Sequence, residues 1–279
     1  MSLTKSDTLR VPGASLYYEV RGAGPLLLMI AGGGGGGSGD WNGFVNHLTD
    51  AYTVVTYDRR GSLHSTLDKP VEDIPLEVHS DDAHRLLAEL STEPAYVFGS
   101  SAGALIGLDL VARHPEQVRT LVSHEPPAHY LLPATEQSQE NPLETYRREG
   151  GLAALKQYAE KIGVSHENRE QGVEFPQSNP QGTANADALF KYTFLAVRRY
   201  RLDIAALLAA PTRIVLAGGS AGKEYVGYRC AVAVAESLGT TVVDFPSNHV
   251  GYITHPGAFA ERLHEVLNNE KLVTTSTII

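Results

Sequence analysis

The chain of 279 residues contains one cysteine, Cys230, so no internal disulfide and no cysteine-rich metal site can form. It also lacks basic runs: 23 Lys and Arg stand against 32 Asp and Glu, a formal charge of −9. No stretch could track a phosphate backbone, which argues against nucleic acid as a partner. Long hydrophobic runs are missing too. The apolar stretch nearest the N-terminus, Leu26–Ala31, is too short to span a bilayer, and no basic segment with a cleavage site precedes it. These absences predict a non-secreted, cytoplasmic protein with no membrane partner.

Hydrophobic residues make up 42% and charged residues 20%, which suits a globular domain with a substantial core. The length favours one large α/β domain carrying an insertion over two equal domains. Cys230 lies among Val232, Val234, Ala235 and Leu238 at helical spacing, so it reads as a packed residue and not as a nucleophile.

Short apolar runs closed by glycine or polar turns, Ser15–Val20, Pro25–Ala31 and Tyr52–Tyr57, predict strands. Pro75–Leu90 is an amphipathic helix pattern that feeds a strand at Ala95–Phe98, then a helix at Ala102–Arg113 and a buried strand at Val118–Ser123. Between about His129 and Ala210 the rhythm breaks. Helical stretches at Leu143–Ile162 and Ala184–Leu208 flank a polar loop, which predicts a helical lid. Strand Thr212–Ala217, helix Tyr225–Leu238, strand Thr241–Phe245 and helix Pro256–Leu267 then resume the pattern, and Leu272–Ile279 is expected to fray. The expected organisation is a core of residues 1–128 and 211–279 with a cap of residues 129–210.

Gly99-Ser100-Ser101-Ala102-Gly103 matches G-x-S-x-G between an apolar strand and an apolar helix. A sharp strand-to-helix turn leaves no room beside its central residue, so small neighbours are required and the Ser101 hydroxyl stands clear of the sheet. Ser100 is off-centre in the motif. A serine hydroxyl needs a base, and histidine has the matching pKa.

Five features fall in one order: the glycine run Gly32–Gly37, Asp58-Arg59-Arg60-Gly61 with Ser65, the Ser101 turn, the helical insertion, and Asn248-His249-Val250-Gly251. In this the chain resembles the α/β-hydrolase superfamily over nearly its whole length. The resemblance implies a mostly parallel sheet flanked by helices, Ser101 as nucleophile and His249, after the last strand, as general base. His255, before Pro256, reads as the start of the closing helix. Family members most often carry the triad acid after the strand that follows the lid, but Val215–Gly222 contains no carboxylate. A smaller set, lactonases resembling the zearalenone-hydrolysing enzymes, carries it one strand earlier, where Ser123-His124-Glu125-Pro126-Pro127 resembles theirs. Glu125 is therefore expected to be the acid, with Glu224 and Asp244 as alternatives.

An oxyanion hole needs two N–H donors. Ala102 supplies one from the helix N-terminus, and by resemblance the loop after the earlier strand supplies the other, from Gly33 or Gly34. The Asp58–Gly61 segment reads as a structural turn more than as a charged substrate clamp. Aromatic residues of the insertion, Tyr146, Tyr158, Phe190, Tyr192, Phe194 and Tyr200, either line a pocket or pack the lid.

The expected activity is cofactor-free and metal-free hydrolysis of a small-molecule ester or lactone through an acyl-enzyme. Carbon–carbon bond hydrolysis or cofactor-free haloperoxidation on the same triad is the alternative among enzymes. A non-catalytic small-molecule receptor of the same fold is the alternative outside them, and the oligomeric state is left open.

Overall fold

The computed structural model describes residues 4–33, 37–136, 142–174 and 180–269. Among these residues nine strands form one sheet: β1 (Lys5–Val11), β2 (Ala14–Gly22), β3 (Leu26–Ile30), β4 (Thr53–Tyr57), β5 (Thr66–Leu67), β6 (Ala95–Ser100), β7 (Val118–His124), β8 (Arg213–Gly219) and β9 (Val243–Phe245). Their spatial order is β1-β2-β4-β3-β6-β7-β8-β9, with β5 beside β2. Contacts of β2 are antiparallel, and every pairing from β4 through β3 to β9 is parallel. The expected α/β-hydrolase architecture is thus present.

Among the described residues eleven helices accompany the sheet: α1 (Gly37–Asn46), α2 (Leu76–Leu90), α3 (Ala102–Arg113), α4 (Pro142–Glu149), α5 (Gly151–Lys161), α6 (Pro180–Ala188), α7 (Phe194–Arg199), α8 (Ile204–Ala209), α9 (Val226–Ser237), α10 (Gly251–Thr254) and α11 (Pro256–Asn268). Alternation along each strand divides the core in two. Leu28, Ile30, Val97 and Leu121 face α2, α3 and α9, while Leu27, Met29, Phe98 and Val122 face Trp41, Phe44, Phe259 and Leu263 of α1 and α11. Each such fully buried side chain contributes about 1.5–3 kcal/mol, so the sheet is clamped from both sides. Among the described residues no helix is long and apolar enough to cross a membrane.

Several elements depart from the sequence pattern. β1 was not foreseen: its residues are largely exposed, so no apolar alternation marks it, and its order comes from a seven-residue antiparallel ladder with β2. The long helix expected over Leu143–Ile162 is two helices, broken at Gly150, whose φ of +87° no helix interior accommodates. The second stretch likewise divides into α6, a widened turn at Leu189–Thr193, α7 and α8. Leu272–Ile279 lies outside the described residues.

The helices between β7 and β8 pack in two ways. Leu143, Ala154, Leu189, Phe190 and Phe194 form a cluster of their own. Val197, Tyr200, Leu202 and Leu207 instead join the α2–α3 side of the main core, where the Tyr200 hydroxyl donates to Asp109 Oδ1 at 2.7 Å.

Candidate active site

Ser101 sits between β6 and α3 with φ +54° and ψ −121°, a conformation that costs a non-glycine residue on the order of 1–3 kcal/mol. The crowding that holds it there is visible in its neighbours. A Cβ on Gly99 would overlap the Gly103 carbonyl, and one on Gly103 would overlap the Ile30 carbonyl. The serine therefore stands at a bend only glycine-flanked sequence can make. Its side chain is partly exposed to a cavity of about 1470 Å³.

The parallel register carries Glu125 to the same edge. Ser100 pairs with His124 and His124 with Ala217. One residue further, Ser101 N–H donates to His124 O and Glu125 N–H to Ala217 O, both at 2.9 Å. Glu125 also has positive φ, +50°. Its carboxylate is 2% exposed and has two partners: Gly219 N–H donates to Oε1 at 2.8 Å, and His249 Nδ1 lies 2.5 Å from Oε2. Burial pushes this carboxyl up, but the facing His249, with His124 and the Gly219 amide, outweighs it and holds Glu125 below its ordinary value.

His249 follows β9 through the Pro246–Asn248 loop and lines the same cavity as Ser101. Asn248 fixes this loop on both sides: Oδ1 accepts from Val250 N–H at 3.0 Å, and Nδ2 donates to Ser165 O at 2.8 Å. The structure thus brings Glu125 and His249 into contact and places Ser101 and His249 on one cavity wall. Glu224 is exposed, and Asp244 is engaged by Lys223 Nζ at 2.6 Å and the Tyr228 hydroxyl at 2.7 Å. Neither alternative acid meets the histidine in these hydrogen bonds.

The glycines that end β8 explain why no acid stands there. A Cβ on Gly218 would come within 2.5 Å of the Tyr228 ring, and one on Gly219 within 2.6 Å of the Asn248 backbone. Gly227 of α9 is packed against the pair itself, since a Cβ there would overlap Glu125 Oε2 and lie 3.2 Å from His249 Nδ1. Sequence reading missed the parts played by Gly219 and Gly227. The available signal was the Gly218-Gly219 doublet at a strand end where the resemblance implied an acid.

Ala102 opens α3, and the first N–H groups of a helix have no intrahelical acceptor. The β3 loop runs beside it: a Cβ on Gly32 would lie 3.0 Å from Ser101 Cβ, and Gly32, Gly33 and Ala102 all line the cavity. Gly34, the other expected donor, lies outside the described residues. Of the insertion's aromatic residues, Tyr158 and Phe194 line the cavity, while Tyr146 stacks on Phe190 at 5.5 Å between centroids. Cys230 is fully buried, and burial pushes its thiol up to about 12, consistent with a packing role. His255 precedes Pro256 and stands at the N-terminal boundary of α11 without a side-chain bond to it.

A family model described as alpha/beta hydrolase fold matches residues 25–206. The chain belongs to the α/β-hydrolase fold family. A full-length relative, the uncharacterized hydrolase YraK of Bacillus subtilis (strain 168), is 44% identical over 274 residues, covering 95% of this chain and 97% of that one. Among solved structures, a hydrolase from Pseudomonas aeruginosa PA01 superposes with a TM-score of 0.67 at 22% identity, covering 95% of this chain and 98% of that one. The N-acyl homoserine lactonase AidH, solved as a variant complexed with N-hexanoyl homoserine, gives 0.69 at 19% identity, covering 95% and 96%. At such identities these two structures speak to the fold of the family alone.

Proposed function

We propose that this chain is a serine hydrolase that cleaves a carboxylic ester or lactone through an acyl-enzyme on Ser101. The observation that carries the reading is the buried Glu125–His249 contact of 2.5 Å, on a histidine that shares its cavity with the strained Ser101. Glu125 accepts a hydrogen bond from the Nδ1–H of His249 and thereby leaves the Nε2 lone pair free to act as base. His249 takes the hydroxyl proton as Ser101 attacks the carbonyl carbon, and Glu125 stabilises the imidazolium that forms. Negative charge collects on the carbonyl oxygen, which the Ala102 and Gly33 N–H groups face. His249 then protonates the leaving alcohol, and water, deprotonated by the same imidazole, releases the acid. In a lactone the leaving alcohol stays tethered, and a single hydroxy acid departs.

The mainly apolar wall supplied by Leu155, Tyr158, Leu189 and Phe194 suits an uncharged acyl group. Incubation with p-nitrophenyl esters and with lactones of graded acyl length, alongside a fluorophosphonate probe, tests the reading. Hydrolysis and labelling that both vanish in Ser101→Ala are expected. A folded wild-type protein that neither labels at Ser101 nor hydrolyses any of them would overturn it in favour of a binding role.

A further inference from the structure

Three charged residues leave β4 in succession, and two of them are occupied locally. Asp58 accepts from the His64 backbone N–H at 3.1 Å and lies 2.8 Å from its Nδ1. Arg60 grips Asp82 with two bonds, Nε to Oδ2 at 2.6 Å and Nη2 to Oδ1 at 2.5 Å. Arg59 differs from both. It is 7% exposed, yet among the described residues no carboxylate lies within ion-pair distance of its guanidinium. Its bonds are instead to neutral acceptors: Nη2 donates to the Gly32 carbonyl at 2.8 Å, and Nη1 to Thr193 Oγ1 at 3.2 Å. A buried cation without a counter-charge costs several kcal/mol, so stability does not account for it.

The Gly32 carbonyl and the Gly33 N–H belong to one peptide plane, and no cis peptide bond occurs in the chain's described residues. In a trans peptide the two groups point in opposite directions. Holding the carbonyl on Arg59 therefore turns the Gly33 N–H the other way. Arg59 is not part of the cavity wall, whereas Gly32, Gly33 and Ser101 are, so the opposite way is toward the cavity. Glycine admits either peptide orientation with little steric preference, and no side chain in Gly32–Gly37 can select one. A flipped peptide would aim the Gly32 carbonyl, an acceptor, at the oxygen where negative charge develops.

We propose that Arg59 is a positioning residue that pins the Gly32–Gly33 peptide with its N–H in the oxyanion hole and ties that peptide, through Thr193, to the helices over the cavity. The inference rests on the serine-hydrolase reading above. Thr193 is buried in the turn between α6 and α7, next to the cavity residue Phe194. Arg59 thus joins two segments far apart in sequence, the glycine loop and the insertion, which also touch where Leu189 packs on Gly33.

The test is Arg59→Met, which keeps the stem's bulk and removes both donors. For p-nitrophenyl butyrate kcat should fall about 10- to 100-fold while KM stays within about threefold, as expected for a donor felt chiefly in the transition state. A boronic acid forms an anionic tetrahedral adduct on the serine, so its affinity should weaken by a factor similar to the loss in kcat. Arg59→Lys keeps the cation but cannot reach both acceptors, and it should fall between wild type and Arg59→Met on both readouts. A folded Arg59→Met with kcat and boronate affinity within about twofold of wild type overturns the proposal, as does a change in KM alone. Should Arg59→Met not fold, Arg59→Lys decides, with a loss of about fivefold or more expected and wild-type values overturning the idea. Fluorophosphonate labelling of wild-type Ser101 separates the two readings: with labelling present, an unaffected Arg59→Met defeats only the Arg59 assignment, and with labelling and hydrolysis both absent each reading falls.

Discussion

Replacing Glu125 by glutamine changes one atom's hydrogen-bonding character at a site where both oxygens are occupied. Oε1 accepts the Gly219 N–H at 2.8 Å, and Oε2 faces His249 Nδ1 at 2.5 Å. A carboxylate satisfies two donors, but a carboxamide offers one acceptor and one donor group. If its oxygen stays on His249, the NH₂ is pushed against the Gly219 N–H, leaving buried donors unsatisfied at about 1–3 kcal/mol. If the amide turns over, its oxygen takes Gly219 and its NH₂ meets Nδ1. That arrangement stabilises the histidine with its proton on Nε2, the tautomer that cannot accept the Ser101 proton.

The favoured orientation is therefore the unproductive one, and a bias of about 1–3 kcal/mol leaves roughly a tenth to a hundredth of the histidine competent. Loss of the negative charge removes the stabilisation of the imidazolium, about another 1.5–3 kcal/mol for a hydrogen bond to an ionised group. Together the expected fall in kcat is about 10²- to 10⁴-fold with KM little changed. Steady-state hydrolysis of p-nitrophenyl butyrate by Glu125→Gln, with a thermal melt to establish folding, measures it. A folded variant within about fivefold of wild type would refute the assignment and detach catalysis from the Glu125–His249 pair.

Gly227→Ala should act on the same pair by displacement: its Cβ overlaps Glu125 Oε2, so kcat is expected to fall about 10- to 100-fold while Tm drops by a few degrees. His124, enclosed by Phe98, Phe245 and Phe259 with no partner for either ring nitrogen, is held neutral by burial down to about 4 against an ordinary 6.5. The unfolded chain binds its proton first, so stability is full above about pH 6.5 and is lost as the pH falls toward 4, by about 2 kcal/mol at pH 5; urea denaturation of His124→Phe at pH 8 and pH 5 should show that share of the loss removed. Cys230 should react with a thiol reagent only after denaturation, and Cys230→Ala should keep its kcat, because the buried thiol carries almost no thiolate at neutral pH.

Most of the sheet was legible because its strands are buried on one or both faces. β3 and β6 read as nearly continuous apolar runs, as parallel strands covered by helices do, and β7 is marked by Val118 and by Leu121-Val122. β1 was not legible, since it is ordered by backbone bonds to β2 and its exposed side chains carry no pattern. The insertion was legible as helical but not in its breaks. Gly150 ends one helix through its backbone conformation, and the turn at Leu189–Thr193 is apolar enough to read as uninterrupted helix. Arg59 was the opposite case. As a sequence feature it stood among look-alike charges, and what distinguishes it from Arg60 is that its bonds go to the Gly32 carbonyl and Thr193, with no carboxylate partner among the described residues.

The location of the acid proposed for the histidine shows how far local sequence can carry such a reading. Glu125 was reached by resemblance, yet the structure supplies a physical account that resemblance lacked. Moving a carboxylate from the end of β8 to the end of β7 brings it to the histidine from the neighbouring strand, and the volume it occupies must be vacated by what lies around it. Gly219 offers an N–H to the carboxylate, Gly218 lets Tyr228 close over the strand end, and Gly227 lets α9 approach the carboxylate. The three glycines and Glu125 form one arrangement. An aspartate restored at position 218 or 219 should therefore fail to rescue Glu125→Gln, because its Cβ collides with Tyr228 or the Asn248 backbone before its carboxylate can reach Nδ1. A double variant, Glu125→Gln with Gly219→Asp, that regained wild-type kcat would break this linkage and show that the two positions are interchangeable.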